Sequence, residues 1–416
     1  MASSHLQSIV DLLERREIKK AEVAATRLLR SALPDSERIQ ALVLRARARL
    51  LGERPDEAIE DLNQARSLLP GNESVEMLEL TADCHLLRFE IASVGFADRG
   101  DTSLAKRLYE RILTEYPRYG NLGWIYYQLG RIALADSDVD KADTLFRQSL
   151  FAPSHIPALT AFCFERLGFI AFYERRDLES ACAFLDKAVF TYPASEPLAW
   201  MVQLRILRSR VLRAMNKNEQ ALLDAEVALS IAEKAGDENR MILAEALLAA
   251  GELAVCLPGR DRDAVSYLQQ FLQVSRRPLG VDVTWSRVYE MLGDIYSEQG
   301  QFEQAISAYR NALQYNPYHP WETSLLFRIA RAYYCLNSYE DTIRAVQEYI
   351  SAAEQDDEAS QDYRVYDVLG NAQFALGRYA DALESYKTAL RLAPANASDL
   401  DKIRRYQRFA QELLQA

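Results

Sequence analysis

The chain has 416 residues, a hydrophobic content of 49% and a formal net charge of −11. This hydrophobic content is too high for a disordered chain. The acidic balance disfavours nucleic acids and anionic membranes as partners, because binding to either is driven by an excess of cationic side chains. We therefore expect neither partner.

The cysteine pattern and the N-terminal sequence indicate a cytoplasmic protein. The five cysteines are far apart, odd in number and without C-x-x-C spacing, which argues against a disulfide framework. We expect each to pack as a small apolar residue: Cys84, Cys163, Cys182, Cys256 and Cys335. Residues 1–10 lack the charged and apolar regions of a signal peptide, and no apolar stretch is long enough to span a membrane.

Pairs of helices are predicted along the first half of the chain. Two weak pairs at 4–34 and 39–72 are followed by a pair at 86–119, whose first helix begins early, near Ser74. Two clear pairs then occupy 123–154 and 161–194, the second with one extra residue in its turn. In each pair, apolar residues recur every three or four positions, as on one face of a helix.

The centre of the chain, residues 202–283, carries alanine and leucine at helical spacing but lacks the full pattern of its neighbours. We expect longer or irregular helix pairs there, with a hinge near residues 235–283. Clear pairs return at 286–319, 323–356 and 363–396. A single helix at 399–416 is then predicted to close the array with a polar face, because a stack of repeats needs a polar terminal cap.

The pairs at 286–319 and 363–396 share one residue pattern. Tyr289, Leu292 and Gly293 recur 77 positions later as Tyr366, Leu369 and Gly370. A glycine inside a helix costs about 1 kcal/mol relative to alanine. We therefore expect Gly293 and Gly370 to lie where two helices approach closely, each opposite a small residue such as Ala305 in the second helix.

This pattern of an aromatic residue, Leu-Gly, a small residue, an aromatic residue, a small residue and a closing proline resembles the tetratricopeptide repeat, a unit of about 34 residues. The resemblance covers nearly the whole chain. It implies an all-α fold, an α-solenoid of antiparallel helix pairs wound as a right-handed superhelix. We expect residues 1–398 to form roughly nine or ten repeats, most regular at 123–195 and 286–396, and residues 399–416 to form the capping helix.

The resemblance also implies which residues contact a partner. In this family the second, fifth, ninth and twelfth positions of the first helix face a bound peptide. Large aromatic residues and arginine dominate binding hot spots. The candidate partner-binding residues are Trp124, Tyr127, Arg131, Phe162, Phe169, Phe172, Arg331, Tyr334, Arg364 and Asn371. The alternative is that these side chains serve packing.

Residues with catalytic or metal-binding spacing are lacking in the sequence. Its four histidines are far apart and no H-E-x-x-H or G-x-S-x-G is present, so we expect no catalytic residues, no metal and no cofactor. The leading hypothesis is a non-catalytic scaffold or adaptor that binds a partner peptide or subunit in the concave groove. A partner with basic residues would associate faster because of the net charge.

Two other functions follow less directly from the same pattern. The first alternative is a regulatory protein that senses a ligand or peptide, based on the expected irregular centre. The second is RNA binding by a related helical repeat, which the acidic balance disfavours. The oligomeric state is left open.

Overall fold

The computed structural model describes residues 2–69, 71, 73–94, 102–234, 240–318, 321–354 and 362–415. Within these ranges every regular element is helical. None of the described helices is both long enough and apolar enough to cross a bilayer. The chain divides into two compact units, Met1–Pro197 and Leu198–Ala416.

The N-terminal unit consists of helix hairpins that follow one another along the chain. Each hairpin has a first and a second helix, and the odd-numbered helices are the first ones. The elements are α1 Ala2–Glu14, α2 Ile18–Leu29, α3 Asp35–Leu51, α4 Pro55–Ser67, α5 Val75–Val94, α6 Ser103–Glu115, α7 Leu122–Ala135, α8 Val139–Phe151, α9 Leu159–Phe169, a π-helical turn Ile170–Glu174, and α10 Leu178–Thr191.

The C-terminal unit repeats this arrangement and adds one helix. Its elements are α11 Leu198–Ala214, α12 Asn218–Lys234, α13 Arg240–Val255, α14 Asp261–Val274, α15 Val283–Glu298, α16 Phe302–Tyr315, α17 Trp321–Cys335, α18 Tyr339–Glu354, α19 Tyr363–Ala375, α20 Tyr379–Leu392 and α21 Leu400–Gln415. In each unit a helix packs against its neighbours in sequence, and most first helices also contact the next first helix.

These contacts confirm the predicted all-α solenoid of antiparallel helix pairs. The early start of the first helix near Ser74 is also confirmed, because α5 begins at Val75. The centre expected to be longer or irregular forms the hairpins α11–α12 and α13–α14, and α11 and α12 have 17 residues each. Residues 235–239 of the expected hinge region lie outside the described residues.

The seam between the two helices of a hairpin explains the recurring glycines. A Cβ atom added at Gly370 would lie 2.6 Å from Cε1 of Tyr386, and one added at Gly293 would lie even closer to the ring of Tyr309. Both rings are buried. The predicted packing role of these glycines is therefore confirmed, but the expected small residue opposite each one is wrong: the glycine on the first helix makes room for an aromatic ring on the second.

Replacing Gly293 with alanine is expected to destabilise the C-terminal unit by about 1–3 kcal/mol, because the ring of Tyr309 must move out of a packed seam. This loss should exceed the gain of about 1 kcal/mol in helix propensity. Urea unfolding followed by circular dichroism measures the difference. Gly280→Ala is the control, since no atom lies within 4 Å of a Cβ added there. Equal stability of both variants would contradict the packing role.

The cysteines only partly follow the expectation. Cys84 and Cys163 are buried in the helix seams, and Cys182 is half-buried. Cys256 and Cys335 are exposed, so the prediction that every cysteine packs as an apolar residue is wrong for these two. Each lies at or just beyond the end of a first helix, where the neighbouring turn leaves one side open to solvent.

Candidate partner-binding surface

A row of aromatic rings crosses the first-helix side of the N-terminal unit from α7 to α9. The ring centroid of Tyr127 lies 5.4 Å from that of Trp124 and 6.0 Å from that of Phe162. Phe162 in turn lies 6.3 Å from Tyr192, just beyond α10. Such ring pairs each contribute about 0.5–1.5 kcal/mol beyond the burial of their area. The row is thus held in place before any partner arrives.

The π-helical turn extends this row. Phe169 ends α9, Phe172 lies within the turn, and both rings pack on Tyr173 with centroid distances of 4.7 and 4.6 Å. The turn accommodates the extra residue predicted for the 161–194 pair. It shifts the side chains that follow it relative to a regular helix, and π-helical turns occur frequently at functional sites. We refer to the half-buried rings of Trp124, Phe162, Phe169 and Phe172 as the aromatic surface.

A half-buried carboxylate on α5 fixes one edge of the aromatic surface. Asp83 accepts hydrogen bonds from Tyr109 Oη at 2.5 Å, Gln128 Nε2 at 3.1 Å and Trp124 Nε1 at 3.2 Å. Burial raises the pKa of Asp83, and these three donors oppose the shift. The indole of Trp124 is therefore tied to α5, with its orientation set by a hydrogen bond.

A second carboxylate, Glu79, lies one turn earlier on α5. Its Oε1 accepts a hydrogen bond from Asn121 Nδ2 at 3.0 Å, and Asn121 is fully buried at the start of α7. Burial, and next the charge of Asp83, raise the pKa of Glu79 to about 7. The contact between α5 and α7 therefore contains a carboxyl group that titrates near neutral pH.

The two arginines beside the aromatic surface are paired with carboxylates. Arg131 donates to Glu90 on α5 and to Gln128 Oε1 at 2.9 Å, and its guanidinium lies 5.9 Å from the ring centroid of Tyr127. Arg166 forms an ion pair with Glu165, at 2.9 Å between Nε and Oε2. Because each of these arginines has a carboxylate beside it, the part of this surface that the structure describes has no concentrated positive charge.

The candidate residues of the C-terminal unit lie on the first helices α17 and α19. The guanidiniums of Arg331 and Arg364 lie 5.9 and 5.5 Å from the ring centroid of Phe327, so the two arginines share one ring. The rings of Tyr334 and Tyr339 are tilted by 56° with respect to each other, at a centroid distance of 5.9 Å. Asn371 is buried and its Oδ1 accepts a hydrogen bond from Tyr386 at 3.0 Å.

Six of the candidates thus lie in the N-terminal unit and four in the C-terminal unit. Trp124, Phe162, Phe169, Phe172 and Arg131 are half-buried, and Tyr334 is too, while Arg331 and Arg364 are exposed. Tyr127 and Asn371 differ: only 6% and 8% of their surfaces are exposed. Both contact the second helix of their own hairpin: the ring centroid of Tyr127 lies 5.6 Å from that of Phe146, and Asn371 accepts the hydrogen bond of Tyr386.

Sequence reasoning missed the carboxylates of α5. Glu79 and Asp83 were not candidates because the repeat was placed at 86–119, beyond both residues. The small residue that marks the seam of this hairpin is Ala82, which is fully buried. The early start of the helix near Ser74 was the signal that could have moved the register back to include them.

The described residues contain no group of three or more histidine, cysteine, aspartate or glutamate side chains that could hold a metal ion. The buried carboxylates of Asp61 and Asp224 are matched by arginines. The site is therefore a surface of rings and paired arginines, whose chemistry suits non-covalent recognition.

Comparisons with known proteins agree with this architecture. Family models described as tetratricopeptide repeat match residues 116–149, 286–319 and 363–396. The last two matches coincide with helix hairpins. The first begins seven residues earlier than the repeat predicted at 123–154, and the helix bounds of α7 and α8 favour the later register. No curated protein sequence matches the chain.

Several solved structures of tetratricopeptide repeat proteins are similar to the chain. A signal transduction ATPase with a tetratricopeptide repeat sensor from Pyrococcus horikoshii has a TM-score of 0.53 and 17% identity, over 95% of this chain and 55% of that one. A repeat protein from Parabacteroides merdae has a TM-score of 0.41 and 14% identity, over 70% and 98%. The yeast Sti1 domain complexed with an HSP90 segment has a TM-score of 0.28 and 18% identity, over 60% and 98%.

Proposed function

Because the chain is a tetratricopeptide repeat protein, we propose that it is a protein-interaction scaffold that binds a segment of a partner protein on its aromatic surface. The observation that carries this proposal is the row of half-buried rings on the first-helix side of α7 and α9. Rings in such positions offer a large contact area at a small cost in conformational entropy.

The surroundings of the aromatic surface support the same function. Trp124 is oriented by its hydrogen bond to Asp83, and the ring of Phe162 packs against the buried ring of Tyr127. Preorganised contacts of this kind bind more tightly because less side-chain freedom is lost on association. The paired arginines can still present hydrogen-bond donors at the rim, where a partner's carbonyl oxygen would be recognised. A partner with basic residues would gain association rate from the net charge of −11.

The double variant Trp124→Ala/Phe169→Ala tests the proposal. Loss of two hot-spot rings is expected to weaken partner binding by about 2 kcal/mol or more, which is roughly thirtyfold in Kd. A partner is first captured with the wild-type protein from native lysate, and its purified form is then titrated against both proteins by isothermal calorimetry. Circular dichroism verifies that the variant is folded.

The matched control is Phe151→Ala/Phe190→Ala. These rings are 91% and 89% exposed on the second helices α8 and α10, away from the aromatic surface. Removing them tests whether any loss of exposed aromatic area weakens binding. Equal affinity of the wild type and the Trp124→Ala/Phe169→Ala variant for the captured partner would show that the aromatic surface serves packing only.

A second candidate is a regulatory protein that senses a ligand or peptide. It is favoured by the similarity over 95% of this chain to a protein whose name includes a tetratricopeptide repeat sensor. A sensor must change conformation when the ligand binds, because a ligand shifts only equilibria between states it binds differently. A radius of gyration in solution scattering that falls on binding of a small ligand or peptide would favour the sensor, and unchanged dimensions would count against it.

A further inference from the structure

An apolar cleft opens at the N-terminal end of the first unit, between α1, α3 and the start of α5. Its volume is about 850 Å³, within the range of about 300–1,000 Å³ that is typical of binding sites. Its walls include Leu6, Val10, Ile39, Val43, Leu69 and Met77. The cleft therefore lies mainly among first helices, on residues that the aromatic surface does not include.

The apolar walls of the cleft are partly open to solvent. Leu6 and Met77 are buried at its base, whereas Val10, Ile39 and Val43 are only half-buried. Covering apolar area contributes roughly 25 cal/mol per Å². A contiguous group of half-exposed aliphatic side chains in a concave site marks a place where an apolar surface can dock.

The charged side chains of the cleft all have one sign. Among the described residues that line it, the ionisable ones are Asp35 and Glu76, and neither lysine nor arginine is present. Both carboxylates are exposed. A neighbouring depression on the same unit is different, since Arg30, Arg38 and Arg45 line it. Charge complementarity therefore favours an occupant with an apolar face and flanking cations.

The form of the occupant follows from what the cleft offers. Strand addition requires a free sheet edge, and the described residues of this unit form only helices. Polyproline segments dock on aromatic-lined grooves and terminal carboxylates need cationic partners, whereas aliphatic side chains and carboxylates line this cleft. A helix with apolar residues at every third or fourth position matches an aliphatic groove.

We propose that this cleft binds an amphipathic helix of a partner protein, with its apolar face against Ile39 and Val43 and its lysine or arginine residues beside Asp35 and Glu76. This inference goes beyond the proposed function, because it assigns a second surface and a partner chemistry to residues outside the aromatic surface. The two surfaces can then be inactivated separately.

A designed peptide serves as the probe. It has about 18 residues, enough for helix formation, with leucine at every third or fourth position and lysine and alanine elsewhere. Fluorescence anisotropy with the full-length protein at physiological salt is expected to show saturable binding. Ile39→Gln/Val43→Gln should weaken it about tenfold or more. Val23→Gln/Leu51→Gln, which alters exposed residues outside the cleft, should leave it unchanged.

Two further peptides separate shape from charge. A peptide of the same composition with its leucines dispersed around the helix should bind about tenfold more weakly, and so should one with glutamate in place of lysine. Asp35→Lys/Glu76→Lys should reverse the preference between the lysine and glutamate peptides. Equal binding of the dispersed peptide would overturn the proposal, because the contact would then be only electrostatic.

The remaining outcomes also decide the matter. Binding that survives Ile39→Gln/Val43→Gln would place the peptide elsewhere and overturn the proposal. Binding of the neutral dye N-phenyl-1-naphthylamine without binding of the peptide would make the cleft a site for small apolar molecules instead. The Trp124→Ala/Phe169→Ala variant should still bind the peptide. If it does not, the peptide binds at the aromatic surface, which would overturn this proposal but would be consistent with the proposed function.

Discussion

Replacing Asp61 with alanine is expected to destabilise the N-terminal unit by about 3–5 kcal/mol, the usual cost of removing one partner from a buried ion pair. The Asp61 side chain is fully buried on α4. It accepts hydrogen bonds from Arg45 Nε at 2.9 Å, Arg45 Nη2 at 2.6 Å and Arg49 Nη1 at 2.9 Å. Without the carboxylate, two guanidiniums would remain largely buried beside an apolar seam.

Urea unfolding followed by circular dichroism measures this loss, and Glu60→Ala is the matched control on the same helix. Glu60 is exposed, so its removal should change the free energy of unfolding by no more than about 0.5 kcal/mol. A loss below about 1 kcal/mol for Asp61→Ala would contradict the interpretation that this buried ion pair stabilises the unit. It would mean that the two arginines become hydrated at little cost once the carboxylate is removed.

The same arrangement recurs in the C-terminal unit. Asp224 on α12 accepts hydrogen bonds from Arg205 at 2.8 Å and Arg208 at 2.5 Å, both on α11. Asp61 and Asp224 each lie three residues after a fully buried alanine of the second helix, Ala58 and Ala221. Two repeats thus use one position for a carboxylate that joins the second helix to two arginines of the first.

The hairpins could be predicted from the sequence because their determinants are local. Gly293 and Tyr309 lie 16 positions apart, and Gly370 and Tyr386 have the same spacing. A fixed spacing within one hairpin brings the same two side chains together in both copies. The turn after α15 also contains Gly300, whose φ of +73° suits glycine.

The α5 carboxylates could not be predicted because the register of this hairpin differs. Ala82 precedes Ala105 by 23 positions, whereas Gly293 precedes Ala305 by 12. A pattern with fixed spacing therefore places the small residue wrongly when the connection between helices is longer. The burial of Asp61 could not be predicted either, because it depends on arginines of the neighbouring helix and not on the surrounding sequence.

The candidate surface was predicted only in part for a related reason. Positions that share one helix face look alike in sequence, whether solvent or another helix covers them. Phe162 and Phe169 are half-buried, but Tyr127 lies under Trp124 and Phe162. The exposure of each ring depends on the next hairpin, which a single repeat does not encode.

Raising the pH from 5 to 8 is expected to destabilise the wild-type protein through Glu79, and Glu79→Gln should remove this part of the pH dependence. The pKa of Glu79 is about 7 in the folded protein and 4.5 ordinarily. Between these values the folded state holds a proton that the unfolded state has released. Stability is therefore fully present below pH 4.5 and is lost as the pH rises through 7.

The size of the effect follows from the shift. Each pKa unit corresponds to about 1.4 kcal/mol, so Glu79 accounts for a loss of up to about 3 kcal/mol. Glutamine resembles the protonated carboxyl group, since it can accept the hydrogen bond from Asn121 without a charge. The Glu79→Gln variant should match the wild type at pH 5 and exceed it in free energy of unfolding at pH 8.

Glu76→Gln is the control, because Glu76 is exposed on the same helix; it should keep the pH dependence of the wild type. Urea unfolding at pH 5 and pH 8 compares the three proteins.

Equal pH dependence in all of them would mean that Glu79 stays ionised and hydrated. If the free energy of unfolding loses its pH dependence only in the Glu79→Gln variant, deprotonation of Glu79 beside Asp83 weakens the contact of α5 with α7. Since Asp83 also accepts the hydrogen bond of Trp124, affinity at the aromatic surface should then fall over the same pH range.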